Sequence, residues 1–214
     1  MVYELDGRPS LATAVPLGLQ HVLAMFTSNL APILIVAAVC GLSGADTVTM
    51  VQCAMFVSGL TTFIQLYPLR LGSRYQVGAR LPIVMGTSFT FVPTASAVGA
   101  AGGIGAVLGM VDTSSIAGAA WFGLPLPLQF HLEFQPAAIM SFAALFVTSG
   151  LETIGNTSGI TMAGFDREAT ERETSGAILA DALGSTTAAI FNALPNTAFG
   201  QNAGIVAMTR VVNR

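Results

Sequence analysis

Long apolar stretches alternate with short polar ones along this chain. Val15–Leu42 contains no charged residue, and Val48–Leu69 is the next such run. A helix needs about 20 apolar residues to cross the hydrocarbon of a bilayer, so each run is long enough to span. A third apolar region extends from Gly78 to about Met110 and is broken near its start by Pro82 and Gly86. Gln135–Ala163 and Thr174–Ala193 are the fourth and fifth. Leu194–Val212 is the sixth, again broken near its start, by Pro195 and Gly200. The pattern predicts an all-α integral membrane protein with six crossings, two of them interrupted.

The two interruptions are similar. Leu81-Pro82-x-x-x-Gly86-Thr87-Ser88-Phe89 resembles Leu194-Pro195-x-x-x-Phe199-Gly200-Gln201-Asn202, each at the start of the third apolar segment of its half. With six crossings, one runs outward and the other inward. Interrupted segments at matching positions of inverted halves point to a substrate site near the midplane. Non-helical backbone at that depth survives only when buried in protein or lining a cavity. The plainer alternative is two ordinary loops ahead of helices.

Arginines orient the crossings. Arg70, Arg74 and Arg80 follow the second span, and positively charged loops stay in the cytoplasm. The loop around Gly44–Asp46 has no positive charge and lies outside, so the amino terminus is cytoplasmic. Asp112–Glu133 has no arginine, and its Trp121 and Phe122 suit the outer interface. Arg167, Arg172, Arg210 and Arg214 place the remaining loop and the last segment's end inside. The first twelve residues carry Glu4, Asp6 and Arg8 and show no cleavable leader, so the first apolar stretch is itself a span.

Composition agrees with lipid as the solvent. Only 9% of the 214 residues are charged, against about a quarter in soluble domains, and the mean hydropathy is +0.71. All positive side chains are arginine, the net charge is −3, and no basic run suggests nucleic acid. Cys40 and Cys53 lie in apolar stretches and read as small packing residues. No metal-ligand spacing, phosphate loop or nucleophile motif is present, so an enzyme is not expected and no cofactor is implied.

Against this background a few polar residues stand out. Glu152 lies in the middle of the fourth span. A carboxylate there costs at least about 2.5–3.5 kcal/mol, so it should face a cavity or a partner on a neighbouring helix. Asn156 follows one turn later on the same face; its match to a glycosylation sequon is accidental at this depth. Asp181, in the fifth span, suits substrate binding, proton transfer or bracing of the broken segments. Gln20 and His21 lie near the start of the first span, where a histidine braces a neighbouring helix or titrates near neutral pH. Gln201 and Asn202 open the last half-helix. An amide offers donor and acceptor together, which suits the lactam edge of a purine or pyrimidine. Helix openings after Gly86 and Gly200 add free N–H groups and the positive dipole end. Phe89 and Phe199 suit stacking on a flat ring or simple packing.

The run Gln201-Asn-Ala-Gly-Ile-Val-Ala-Met-Thr-Arg210 resembles the signature of nucleobase–ascorbate transporters, the nucleobase:cation symporter-2 family. Gln20-His21, Gly86-Thr-Ser-Phe89, Glu152 and Asp181 resemble, in order, that family's first-span pair, third-span strand, eighth-span glutamate and ninth-span aspartate. The resemblance implies two inverted seven-span repeats, divided into a substrate-binding core domain and a dimerising gate domain. It implies uptake of xanthine, urate, uracil or a related base through the plasma membrane, coupled to H+ or Na+. By carry-over, Glu152 accepts ring N–H groups, Gln201 pairs with the ring amide, and the backbone at Phe89 and Phe199 contacts the base. Gly200 and Asn202 join this binding set; His21, Asp181, Asn156 and Gln20 support it or take part in coupling. Glutamine at 201 resembles the purine branch, whereas Asn156 replaces an acidic residue common in xanthine members.

Family members are longer. This chain passes near Gly102–Leu108 from the third span to the end of the seventh, which leaves out an even number of spans and keeps the topology. The expectation is one partial core domain over residues 1–214, with repeats at about 13–110 and 134–214. The gate domain is missing, so a homodimer or another chain would have to meet the core. Two other readings remain: a non-transporting fragment that at most binds a base or joins full-length partners, and an anion transporter of the same fold.

Overall fold

The computed structural model describes residues 7, 9–72, 75–102, 126–129 and 134–212. The expectations for Trp121, Phe122 and most of the Gly102–Leu108 junction lie outside these residues. The first two spans are helices. α1 covers Leu11–Cys40 and α2 Gly44–Leu66. Both begin about four residues earlier than the apolar runs suggest, each directly after a serine, and Ser43 caps α2 with its side chain. Ser43 accepts the Asp46 N–H, and Gly41, at φ 62°, closes α1 by donating to Ala37 and Ala38 carbonyls. Ile33, Met50 and Ala54 join the two helices.

The arginine-rich connector is a hairpin that the sequence pattern does not predict. β1 (Leu69–Leu71) pairs antiparallel with β2 (Tyr75–Val77), and Gly72 adopts φ 72° at the turn. Val77 turns inward against Ile64 and Ala180.

β3 (Met85–Thr87) follows, then a 3-10 turn at Phe89–Phe91 and α3 (Val92–Gly102). After residues 126–129 come α4 (Pro136–Phe165), α5 (Glu171–Ile190), β4 (Asn196–Ala198) and α6 (Gly200–Thr209). The order helix, helix, strand, short helix thus occurs twice, with the hairpin inserted in the first half. β3 and β4 pair antiparallel at the centre, Met85 opposite Ala198, Gly86 opposite Thr197 and Thr87 opposite Asn196. Ser88 N–H to Pro195 C=O and Phe199 N–H to Val84 C=O, both 2.9 Å, extend the ladder.

This pairing corrects the register of the repeat. Gly86 lies within β3, opposite Thr197, and is not the counterpart of Phe199. The short helical segments open at Ser88–Phe89 and at Phe199–Gly200. Asn196 starts β4 directly after Pro195, whereas a tight turn with Ile83 N–H on Leu81 C=O separates Pro82 from β3. That turn is needed because Leu81 and Ile83 fill the core beside Ile160, Ala177 and Ala198.

Of the six expected crossings, α1, α2 and α4 are helices long and apolar enough to span. The third and sixth are strand-plus-helix units. α5 is more polar and packs closely through its glycines. Its Gly176 approaches the hairpin so closely that a Cβ there would lie 2.2 Å from the Gly78 carbonyl oxygen, and Gly184 abuts Thr61.

α5 starts in a capping box, Thr170 and Glu173 each bonding the other's backbone. Arg167 adds two bonds to Glu173, at 2.8 and 2.6 Å. Burial alone raises the Glu173 carboxyl, but the bonds from Arg167 and Thr170 outweigh it and hold the group below its ordinary range. Their contribution is complete above the ordinary value, near pH ~4.3, and is lost as pH falls through the lowered one. Thr170→Ala is expected to cost about 1 kcal/mol at neutral pH, seen as a lower Tm. The Tm gap between wild type and Arg167→Ala should close as the pH is taken from 7 towards 3.

Candidate functional site

The β3–β4 crossing leaves two helical openings side by side, and α4 lies across both. Thr90 Oγ1, in the first opening, donates to Glu152 Oε2 at 3.0 Å. One turn along α4, Asn156 Nδ2 donates to the Ala198 carbonyl at 2.6 Å. Asn156 Oδ1 sits over Gly200, where a Cβ would lie 2.9 Å from it. One face of α4 therefore runs from the start of the first short helix to the start of the second.

Glu152, Phe89, Gly200 and Gln201 are all exposed. Gln201 has no hydrogen-bond partner among the described residues. Backbone N–H groups at both helix openings favour carbonyl oxygens or negative charge. A carboxylate, an amide and an exposed ring around such N–H groups can recognise a flat ligand carrying both donors and acceptors.

Two other expected contact residues lie beneath. Phe199 is 5% exposed, and its ring covers Gly86; its side chain is packing. Asn202 is 3% exposed and commits its amide inside the protein: Nδ2 donates to the Pro82 carbonyl at 2.6 Å, and Oδ1 bonds His21 Nδ1. His21 thus ties α1 to α6. Gln20, next to it, is exposed.

Asp181 is buried on the other side of α4. It accepts Thr153 Oγ1 at 2.9 Å and Ser149 Oγ at 3.2 Å, while its Oδ1 has no partner. Thr197 Oγ1 lies 3.5 Å from both hydroxyls. Ser149 and Thr153 are buried and Glu152 is exposed, so Asp181 and Glu152 do not share a surface.

The residues that satisfy the broken backbone were not evident from sequence. Asn29, Thr62 and Ser185 bond strand N–H groups directly, and Thr61 holds the Asn196 amide. Gln65 accepts the Ala79 N–H and donates to the Ala177 carbonyl. For those on α2 the one signal is spacing, since Ser58, Thr61 and Gln65 recur on one buried face. A cavity of about 370 Å³ also opens between α1 and α2. It is lined mostly by apolar residues such as Leu17, Val22 and Met25, and neither Glu152 nor Gln201 reaches it. Among the described residues no three His, Cys, Asp or Glu side chains gather as metal ligands.

Comparison with known proteins identifies the family. The Permease family model (Xan_ur_permease) matches residues 12–106 and 102–214. These two segments meet at the junction expected near Gly102–Leu108. The protein named Putative purine permease in Clostridium perfringens is 23% identical over 323 aligned positions, covering 100% of this chain and 69% of that protein. Xanthine permease XanP of Escherichia coli is 22% identical over 333 positions, covering 100% and 71%. The xanthine permease of Bacillus subtilis is 30% identical over 147 positions, covering 69% of this chain and 30% of its own length. Alignments of 323 and 333 positions for 214 residues mean that a long stretch of these relatives has no counterpart inside this chain. With nearly every residue matched, the chain belongs to the Permease family, as a multi-pass membrane protein of transport and not an enzyme.

Proposed function

We propose that the chain is the binding core of a nucleobase permease, taking up a xanthine- or urate-type purine by symport with a cation. The observation that supports this reading is the exposure of Glu152, bonded to Thr90 in the first helical opening, and of Gln201 in the second. Glu152 accepts ring N–H groups, and the Gln201 amide pairs with a lactam edge. The exposed Phe89 ring covers the base, and the backbone N–H groups from Phe89 and Gly200 onward meet its carbonyl oxygens. Phe199 and Asn202 shape the site from below, with His21 and Asn156 as braces. Relatives named as purine and xanthine permeases support this class of substrate.

The fold we infer is a partial core domain of the 7+7 inverted-repeat type, with repeats at about 13–110 and 134–214. The repeated order of elements and the antiparallel β3–β4 pair support it. The protein lies in the plasma membrane with its amino terminus in the cytoplasm, as the arginines suggest. The coupling ion is H+ or Na+, and Asp181, with one oxygen unpartnered, is the group that would take it.

Alternating access needs one bundle to move against another. The site's open face favours a second reading, in which the chain binds a base but transports only with a homodimer partner or a gate domain from outside this sequence. Purified chain is expected to bind labelled xanthine, and Gln201→Glu to shift preference towards uracil. Absence of binding overturns the proposal, and an unchanged ranking removes Gln201 from base recognition. Uptake into vesicles holding only this chain supports independent transport; binding without uptake supports the second reading.

A further inference from the structure

The two halves hold their strands in matching ways. In each half, the second helix offers a hydroxyl to the N–H of the strand's first residue. Thr62 Oγ1 on α2 accepts Met85 N–H at 2.9 Å, and Ser185 Oγ on α5 accepts Asn196 N–H at 3.1 Å. In each half, the first helix offers an asparagine to the strand's third residue. Asn156 on α4 donates to Ala198 C=O, and Asn29 on α1 accepts Thr87 N–H, both at 2.6 Å. Asn29 is therefore the first half's counterpart of Asn156.

Asn29 is fully buried in an apolar helix. Burying an amide costs free energy unless it is bonded, and this one is well used. Its Oδ1 also accepts Ser58 Oγ at 3.3 Å, so one side chain joins α1, α2 and β3. Thr87 immediately precedes the turn carrying Phe89 and Thr90, and Thr90 bonds Glu152. A slip of β3 would move that turn against Glu152.

We infer that Asn29 is a positioning residue of the substrate site: without touching the base, it fixes β3 and thereby sets the Phe89–Thr90 turn against Glu152. The inference rests on the proposed base-binding reading. Its test uses the purified wild-type chain, Asn29→Ala and Asn29→Asp, with xanthine as probe. Two quantities are read: xanthine affinity, and amide hydrogen exchange of the 84–91 segment. Asn29→Ala is expected to speed exchange there and weaken xanthine roughly 10- to 100-fold. Asn29→Asp keeps the acceptor oxygen and should restore both towards wild type. A merely structural role would change the Tm while leaving affinity intact and would not be rescued in this paired way. Should Asn29→Ala not fold, Ser58→Ala removes one of the two donors to Asn29 and should give a smaller change of the same sign. Unchanged affinity or unchanged exchange in the folded variant overturns the inference. If wild type binds no base while Asn29→Ala still speeds exchange, the base-binding reading has failed and the positioning role falls with it; if wild type binds and the variant binds equally, only this inference has failed.

Discussion

Glu152→Gln is expected to weaken nucleobase binding by at least about 100-fold, equivalent to about 2.7 kcal/mol. Glutamine has nearly the same shape, and its amide oxygen can still accept the Thr90 hydroxyl, so the α4 contact with the first opening survives. What changes is the charge, and with it the second acceptor. Hydrogen bonds to a charged group contribute about 1.5–3 kcal/mol, against about 1 for neutral pairs. The new NH₂ would also point a donor at a ring N–H. Equilibrium binding of xanthine to the purified variant measures the loss, and an unaltered Tm shows that it is local. Equal affinity would take Glu152 out of the site.

Gly86→Ala should damage fold and site together. A Cβ at Gly86 would lie 2.1 Å from Phe199 Cζ, with two more ring atoms within 2.9 Å. The ring is buried and cannot swing out without disturbing the core. Phe199 is also the cap of α6, and its N–H holds Val84. Moving it shifts Gly200 and Gln201 against Asn156. Overpacking of this kind costs about 1–3 kcal/mol, and binding should fall with it. Gly86→Ala combined with Phe199→Leu removes the clashing ring atoms, so Tm should recover partly in the double variant. A Gly86→Ala protein that melts and binds like wild type would show that the ring is free to move.

The large features were legible because each is a strong, local signal. Glu152 is conspicuous as a charge in an apolar run, and proline and glycine mark the two interruptions. The hairpin was not legible. Each strand has only three residues, and Arg70 inside Leu69–Leu71 reads as connector. Strand register was missed because the leucine–proline pairs look equivalent, while the turn at Leu81–Ile83 separates only the first pair from its strand. Asn29, Thr61 and Thr62 carry no individual signal. A buried helix tolerates such residues, and only the position of the strand N–H groups reveals their task. Asn202 reads like a binding group in sequence because an amide next to Gln201 gives no sign of which way it points; the structure turns it towards His21 and Pro82.

The pairing of β3 with β4 also bears on how the chain is made. Ser88 N–H bonds Pro195 C=O and Phe199 N–H bonds Val84 C=O, so neither half completes its own backbone hydrogen bonds. During synthesis β3 emerges long before its partner exists. At about 5–20 residues per second the ribosome needs several seconds to supply it. Throughout that interval the Ser88 N–H and Val84 C=O, which later bond Pro195 and Phe199, must be kept from lipid, where each unmet group costs several kcal/mol. The first half is therefore expected to keep these groups from lipid until the second arrives. Stalling or truncation between residues 100 and 195 should produce a protein recognised by quality control, not a stable half.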